Sequence, residues 1–113
     1  MSAGYQDLFV EQGGTFNTSI TLDDINGLPY DLSNIIVKGQ VRKSYYSANS
    51  TADFTITVPT PTNGVIVLNL DSPTTSNIAA GRYVYDVAIK DTANNVTRVL
   101  EGIVNVIPQV TRF

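Results

Sequence analysis

A chain of 113 residues, with a net charge of −3 and only 15% charged residues, is the size of one domain and carries no electrostatic footprint for a phosphate backbone. It has no cysteine, histidine or tryptophan, which excludes disulfides, thiolate metal sites and the usual Ser-His and Cys-His nucleophile pairs. No apolar run approaches the roughly 18 residues of a membrane span, and the first seven residues lack the basic and apolar regions of a signal peptide. These features predict a protein made in a cytoplasm, with neither nucleic acid nor membrane as partner.

Period-two alternation, the signature of a strand with one buried face, dominates the chain. A leading segment from Gln6 to Glu11 reads as a first strand. Thr15 to Leu22 sets Phe16, Thr18, Ile20 and Leu22 against Asn17, Ser19 and Thr21. The Asn-Gly turn in Asp23–Pro29 follows. Ile35 to Arg42 then alternates Ile35, Val37, Gly39 and Val41 with Lys38, Gln40 and Arg42. Ser44 to Asp53 is a longer loop carrying Tyr45 and Tyr46. Phe54 to Val58 is a short strand, closed by the breaker run Pro59–Gly64. Gly64 to Leu70 is more apolar. Ser72 to Ile78 predicts one helical turn with Ser72 as cap and Pro73 at the first position.

The segment Gly81–Ile89 is the strongest strand signal, with Tyr83, Tyr85, Val87 and Ile89 on one face. Asp91–Asn95 reads as a hairpin tip. The run from Val96 to Ile107 is apolar on both faces, which predicts a strand able to pair at an edge with another subunit. A tyrosine entering a late strand just after a glycine turn is where an immunoglobulin-like sandwich places its corner tyrosine. The expected fold is therefore all-β: an immunoglobulin-like β-sandwich of about seven antiparallel strands. It forms a single domain over residues 1–113, with 1–5 and 108–113 as extended tails. Tyr83 takes the corner and Tyr85 the inter-sheet core.

No catalytic residue, cofactor or metal site is expected. The acids lie mostly in turns (Asp23, Asp24, Asp31, Asp53, Asp71, Asp91), where Asp mimics a backbone turn. Asp23, Asp24, Asn26 and Asp31 offer hard oxygen ligands, but their spacing does not match a calcium loop and no bidentate Glu follows. Asp86 is expected to pair across the sheet with Arg82, Lys90 or Arg98. Two features suggest contacts with other proteins. Tyr45 and Tyr46, beside Arg42, either pack back on the domain or form an interface, where Tyr and Arg are enriched. The terminal Val110–Phe113, with Arg112 and Phe113, is either frayed or docked on a neighbour, and docking is favoured.

Three pieces in order carry a family resemblance. They are Glu11-Gln12-Gly13-Gly14-Thr15-Phe16, the turn Asp24 to Ser33, and Gly81-Arg82-Tyr83-Val84-Tyr85-Asp86-Val87 followed by Val99 to Val106. Together they resemble the small immunoglobulin-like proteins and domains of tailed bacteriophage virions, found in tail, baseplate and fibre-associated structural proteins. The resemblance runs from about Glu11 to Arg112. Antibody-type domains carry a Cys where Tyr85 stands and a core Trp on the Ile35 strand, and both are missing here. The resemblance implies a non-enzymatic structural or adaptor component of a virion, made in a bacterial cytoplasm. It would work through contacts with other virion proteins or as a homo-oligomer. The alternative is a carbohydrate- or surface-adhesion module using Tyr30, Tyr45 and Tyr46.

Overall fold

Phe54 marks where the two layers of the molecule meet. The computed structural model describes residues 4–111. Its strands are β1 (Gly4–Tyr5), β2 (Leu8–Glu11), β3 (Phe16–Thr21), β4 (Ile36–Arg42), β5 (Ala52–Asp53), β6 (Thr55–Thr57), β7 (Val65–Leu70), β8 (Gly81–Lys90) and β9 (Val96–Ile107). A five-residue helix, α1 (Ser72–Ser76), links β7 to β8. One sheet, of six strands, runs β1/β2–β9–β8–β4–β5, and the other runs β3–β7–β6. The chain passes from the first sheet to the second between β5 and β6, at Phe54, whose N–H still bonds the Gly39 carbonyl at 2.9 Å. The chain is an immunoglobulin-like β-sandwich.

The alternating faces meet as the sequence implies. Ile66, Leu68 and Leu70 from one sheet pack with Val41, Tyr85, Val87, Val104 and Val106 from the other. The Phe54 ring lies edge-on to Tyr85, with centroids 6.0 Å apart, and contacts Phe16 at 6.3 Å. Gly39 makes room for it, since a Cβ there would press against the Phe54 ring at 3.0 Å. Edge-to-face aromatic pairs add about 0.5–1.5 kcal/mol beyond their area burial.

Tyr83 is 5% exposed, and its hydroxyl donates to the Ala79 carbonyl at 2.6 Å. This is the backbone bond of a tyrosine corner. The Lys43 ammonium sits 4.7 Å from the centre of the same ring. Tyr85, two residues on, is 2% exposed and reaches a more distant target, the Gln6 carbonyl, at 2.6 Å.

Several expectations need correction. The first strand is parallel to the last rather than antiparallel: Gly4 pairs with Leu100 and Leu8 with Val104. Gly4 and Tyr5, expected in a free tail, are thus part of the sheet. Strand β9 is flanked by β8 on one side and, from Leu100 to Ile107, by β1/β2 on the other, so most of it is not a free edge. Part of its two-sided apolar pattern has another cause. A register shift opposite Val87/Ala88 inserts an extra residue, so that Val99 and Leu100 are both buried; such bulges turn a strand's facing by one residue. The Asp23–Pro29 turn lies where the chain crosses from β3 to β4, in different sheets. It closes on itself through an Asp23–Pro29 bridge and an Asp24 carboxylate that accepts the N–H groups of Asn26 and Leu28. The cap of α1 is Asp71, which accepts from the Thr74 N–H at 2.9 Å, while Ser72 is already helical. Ser72 donates its hydroxyl to the Gly13 carbonyl, and the fully buried Thr75 donates to that of Gly14. Together they clamp the β2–β3 turn.

Two outcomes follow for stability. A methyl group at Gly102 would run into the Gln6 carbonyl oxygen and press on the Tyr85 ring, so Gly102→Ala should cost about 1–3 kcal/mol in urea unfolding. Tyr85→Phe removes the same tie, so the double variant should fall short of additive; strict additivity would separate the two effects. Acid should also destabilise. Ser33, Thr74 and Asn95 donate to Asp31, Asp71 and Asp91 respectively and hold each carboxyl below its ordinary 3.8. A depressed folded pKa gives stability that is present above the unfolded value and lost as pH falls through the folded one. Melting temperature should therefore stay level down to about pH 5 and drop below about pH 4. The triple variant Asp31→Asn, Asp71→Asn, Asp91→Asn should fall less steeply.

Candidate interaction surface

Arg42, at the end of β4, is half-exposed. Its guanidinium is divided between Gln40 Oε1 at 2.9 Å and the Ser47 carbonyl at 3.0 Å, which braces the loop that leaves the strand. Ser47 returns two bonds to Ser44: its N–H to the Ser44 carbonyl at 3.2 Å, and its Oγ accepting the Ser44 N–H at 3.1 Å. A four-residue turn is thereby held at both ends. Its two central residues, Tyr45 and Tyr46, are 60% and 97% exposed. Tyr46 projects from the domain, whereas Tyr45 lies partly against it, so packing back on the domain describes at most Tyr45.

Tyr45 leans over the outer face of the six-stranded sheet, above a shallow depression bordered by Gln40, Arg42, Val84, Asp86 and Arg98. The same face continues across the sheet. Gln40 lies opposite Asp86, Asp86 opposite Glu101, and Glu101 opposite Tyr5, so these four form one row. Tyr5 and Phe9 are each 63% exposed. The Asp7 carboxylate beside Tyr5 raises its hydroxyl pKa, and Tyr45 and Arg82 are close enough to act on it as well. One cation is shared by two carboxylates between the aromatic residues. Arg98 pairs with Asp86 at 3.3 Å and with Glu101 at 2.9 Å, so Asp86 takes Arg98 rather than Arg82 or Lys90 as its partner. All three side chains are substantially exposed, so each pair contributes at most about 1 kcal/mol to stability.

The other expected site residues fall elsewhere. Tyr83 and Tyr85 are interior, and burial pushes the Tyr85 hydroxyl well above its ordinary pKa. Tyr30 packs half-buried against the core and does not join Tyr45 and Tyr46. Arg112 and Phe113 lie outside the described residues. No cluster of three or more His, Cys, Asp or Glu that could hold a metal occurs among the described residues. Sequence reasoning missed Tyr5 and Phe9, which were hidden in a segment expected to be a tail and a minor strand. Their spacing was the available signal: Tyr5, Asp7, Phe9 and Glu11 alternate with Gln6, Leu8 and Val10.

No family model and no curated protein matches the chain. Among solved structures, the crystal structure of CopC from Methylosinus trichosporium OB3b aligns with 100% of this chain and 91% of its own, at 10% identity and a TM-score of 0.49.

The brace and the rings it supports should separate in mutagenesis. Arg42→Ala removes two hydrogen bonds of a charged donor and should lower stability by about 1–3 kcal/mol. Tyr46→Ala should stay within about 0.5 kcal/mol of the parent by urea unfolding, because the ring touches little of its own domain.

Proposed function

We propose that this chain is a non-enzymatic structural or adaptor component of a tailed-phage virion, of the tail, baseplate or fibre region. It docks on another virion protein through the outer face of its six-stranded sheet. The observation that carries this reading is the braced turn, which presents Tyr45 and Tyr46 beside the exposed Tyr5 and Phe9. Aromatic residues on a rigid support lose little freedom on binding, and they are the residues on which interface energy concentrates. The order of Gly81–Val87 and Val99–Val106, which resembles the immunoglobulin-like virion domains, supplies the phage setting. The low charge density suits packing among many copies, since few ions need be stripped of water.

A sugar-binding reading is weaker on this face. The polar groups beneath Tyr45 are already engaged: Arg42 with Gln40 and Ser47, Arg98 with Asp86 and Glu101. A glycan would find few free donors there.

The test is to propagate a phage encoding the chain and to analyse purified particles by mass spectrometry. The chain should be found in stoichiometric amount, and Tyr45→Ala/Tyr46→Ala should be depleted from particles while melting at the parent temperature. Absence of the parent chain from particles overturns the virion assignment. Full incorporation of the double variant overturns the choice of surface.

A further inference from the structure

Exposed sheet edges are normally guarded by charge, proline, bulges or shortness, because a bare edge is a template for another strand. Most edges in this molecule are guarded. The β1/β2 edge is interrupted at Gln6–Asp7 and carries Asp7 and Glu11. Strand β5 is two residues long and ends in Asp53. Strand β6 is three residues long and is soon followed by Pro59 and Pro61.

Strand β3 is different. It is the outer strand of its sheet over six uninterrupted residues, Phe16-Asn17-Thr18-Ser19-Ile20-Thr21, with no charge, no proline and no bulge. Its register with β7 shows which way its backbone points. Leu22, just past the strand, donates to Gly64 on the β7 side at 2.8 Å. Backbone groups alternate sides along an antiparallel strand, so those of Phe16, Thr18 and Ile20 also face β7. The N–H and C=O groups of Asn17, Ser19 and Thr21 face away from the sheet.

We infer that β3 is the edge through which two copies of this chain pair, antiparallel about a two-fold axis at Ser19. In that register all three outward residues are used: Ser19 meets its own mate, and Asn17 meets Thr21. No like charges meet at the axis, although the whole chain is acidic, and that neutrality is what suits the strand to a second copy of itself. The outer face of the junction becomes a row of Asn, Ser and Thr, whose hydroxyls and amides can bond across it. On the inner face Thr18 meets Ile20 and the half-buried Phe16 meets the half-buried Leu22, twice over. The pairing joins two three-stranded sheets into one. It lies on the opposite layer from the Tyr45 surface, so failure of either leaves the other standing.

Single-cysteine variants test the register cleanly because the chain has no cysteine of its own. Paired Ser19 residues would have Cα atoms about 5.5 Å apart, whereas Asn17 and its mate would be separated by about 14 Å. A thiol cross-linker with a reach between these lengths should give dimer with Ser19→Cys and far less with Asn17→Cys. Sedimentation equilibrium should show a monomer–dimer equilibrium at about 0.1–1 mM, as expected for a small interface. Ser19→Lys should weaken it by about tenfold or more, because two ammonium groups are then held opposite each other. Circular dichroism and melting temperature should match the parent. A chain that stays monomeric throughout that range overturns the inference. So does a dimer unaffected by Ser19→Lys, or one in which both cysteine variants cross-link equally.

Discussion

The hydrogen bond from the Tyr85 hydroxyl to the Gln6 carbonyl ties the core to the first strand at the point where that strand is interrupted. The first strand is broken between β1 and β2, and Gln6 lies in the break. Its N–H still reaches the Glu101 carbonyl at 3.0 Å, but its own carbonyl turns in toward the sandwich. An inward carbonyl without a partner would cost about 1–3 kcal/mol. Tyr85 supplies the partner from the core, and Gly102, its cross-strand neighbour, leaves the space through which the two meet. Antibody-type domains join their sheets from this position with a disulfide. A phenol does a related task here without redox chemistry, and it attaches the first strand rather than the opposite sheet.

From that attachment follows the arrangement of edges. With β1 and β2 held on β9, the last strand is flanked on both sides over Leu100–Ile107, and Val99, Leu100, Val104 and Val106 are buried. Leu8 and Val10, buried at 3% and 0%, are the apolar contribution that makes this placement favourable. The cost falls on the other sheet. A first strand placed on β9 cannot also cover β3, so the three-stranded sheet ends in a bare strand. One local choice at the start of the chain thus decides which strand is protected and which is open.

The strand faces were legible because burial with period two leaves its mark residue by residue. Ile66, Leu68 and Leu70, or Tyr83, Tyr85, Val87 and Ile89, can be read directly as core. Partners were not legible to the same degree. Nothing in Gly4–Glu11 distinguishes a parallel neighbour from an antiparallel one, since both bury the same alternate side chains. The apolar residues on both sides of β9 looked like two usable faces, but the extra residue at Val99 puts Val99 and Leu100 both inside and leaves Val96, Ile103 and Ile107 as the outer apolar residues. Tyr83 was recognisable because a glycine turn immediately precedes its strand. The role of Arg42 was not, because a guanidinium that braces a loop and one that awaits a partner look identical until Ser47 is placed. Asp71 and Ser72 are both good caps by type, and only the Thr74 N–H decides between them.

The two layers end with unlike surfaces, and this bears on how such a module assembles. The outer face of the six-stranded sheet combines exposed aromatic rings with Arg98 shared between Asp86 and Glu101. Docking there covers apolar area beside charges that are partly compensated, which lowers the cost of desolvating them. The outer face of the three-stranded sheet presents Asn17, Ser19, Thr21, Thr55, Thr57 and Asn69 around Val65 and Val67, all uncharged. Its bonding capacity lies in backbone edges and short polar groups, which reward register more than shape. A surface of the first kind recognises a partner by its pockets; one of the second kind recognises a strand like itself. A chain carrying both on opposite layers can be held by a neighbour of a different sort while pairing with its own copy, because neither contact uses a residue that the other needs.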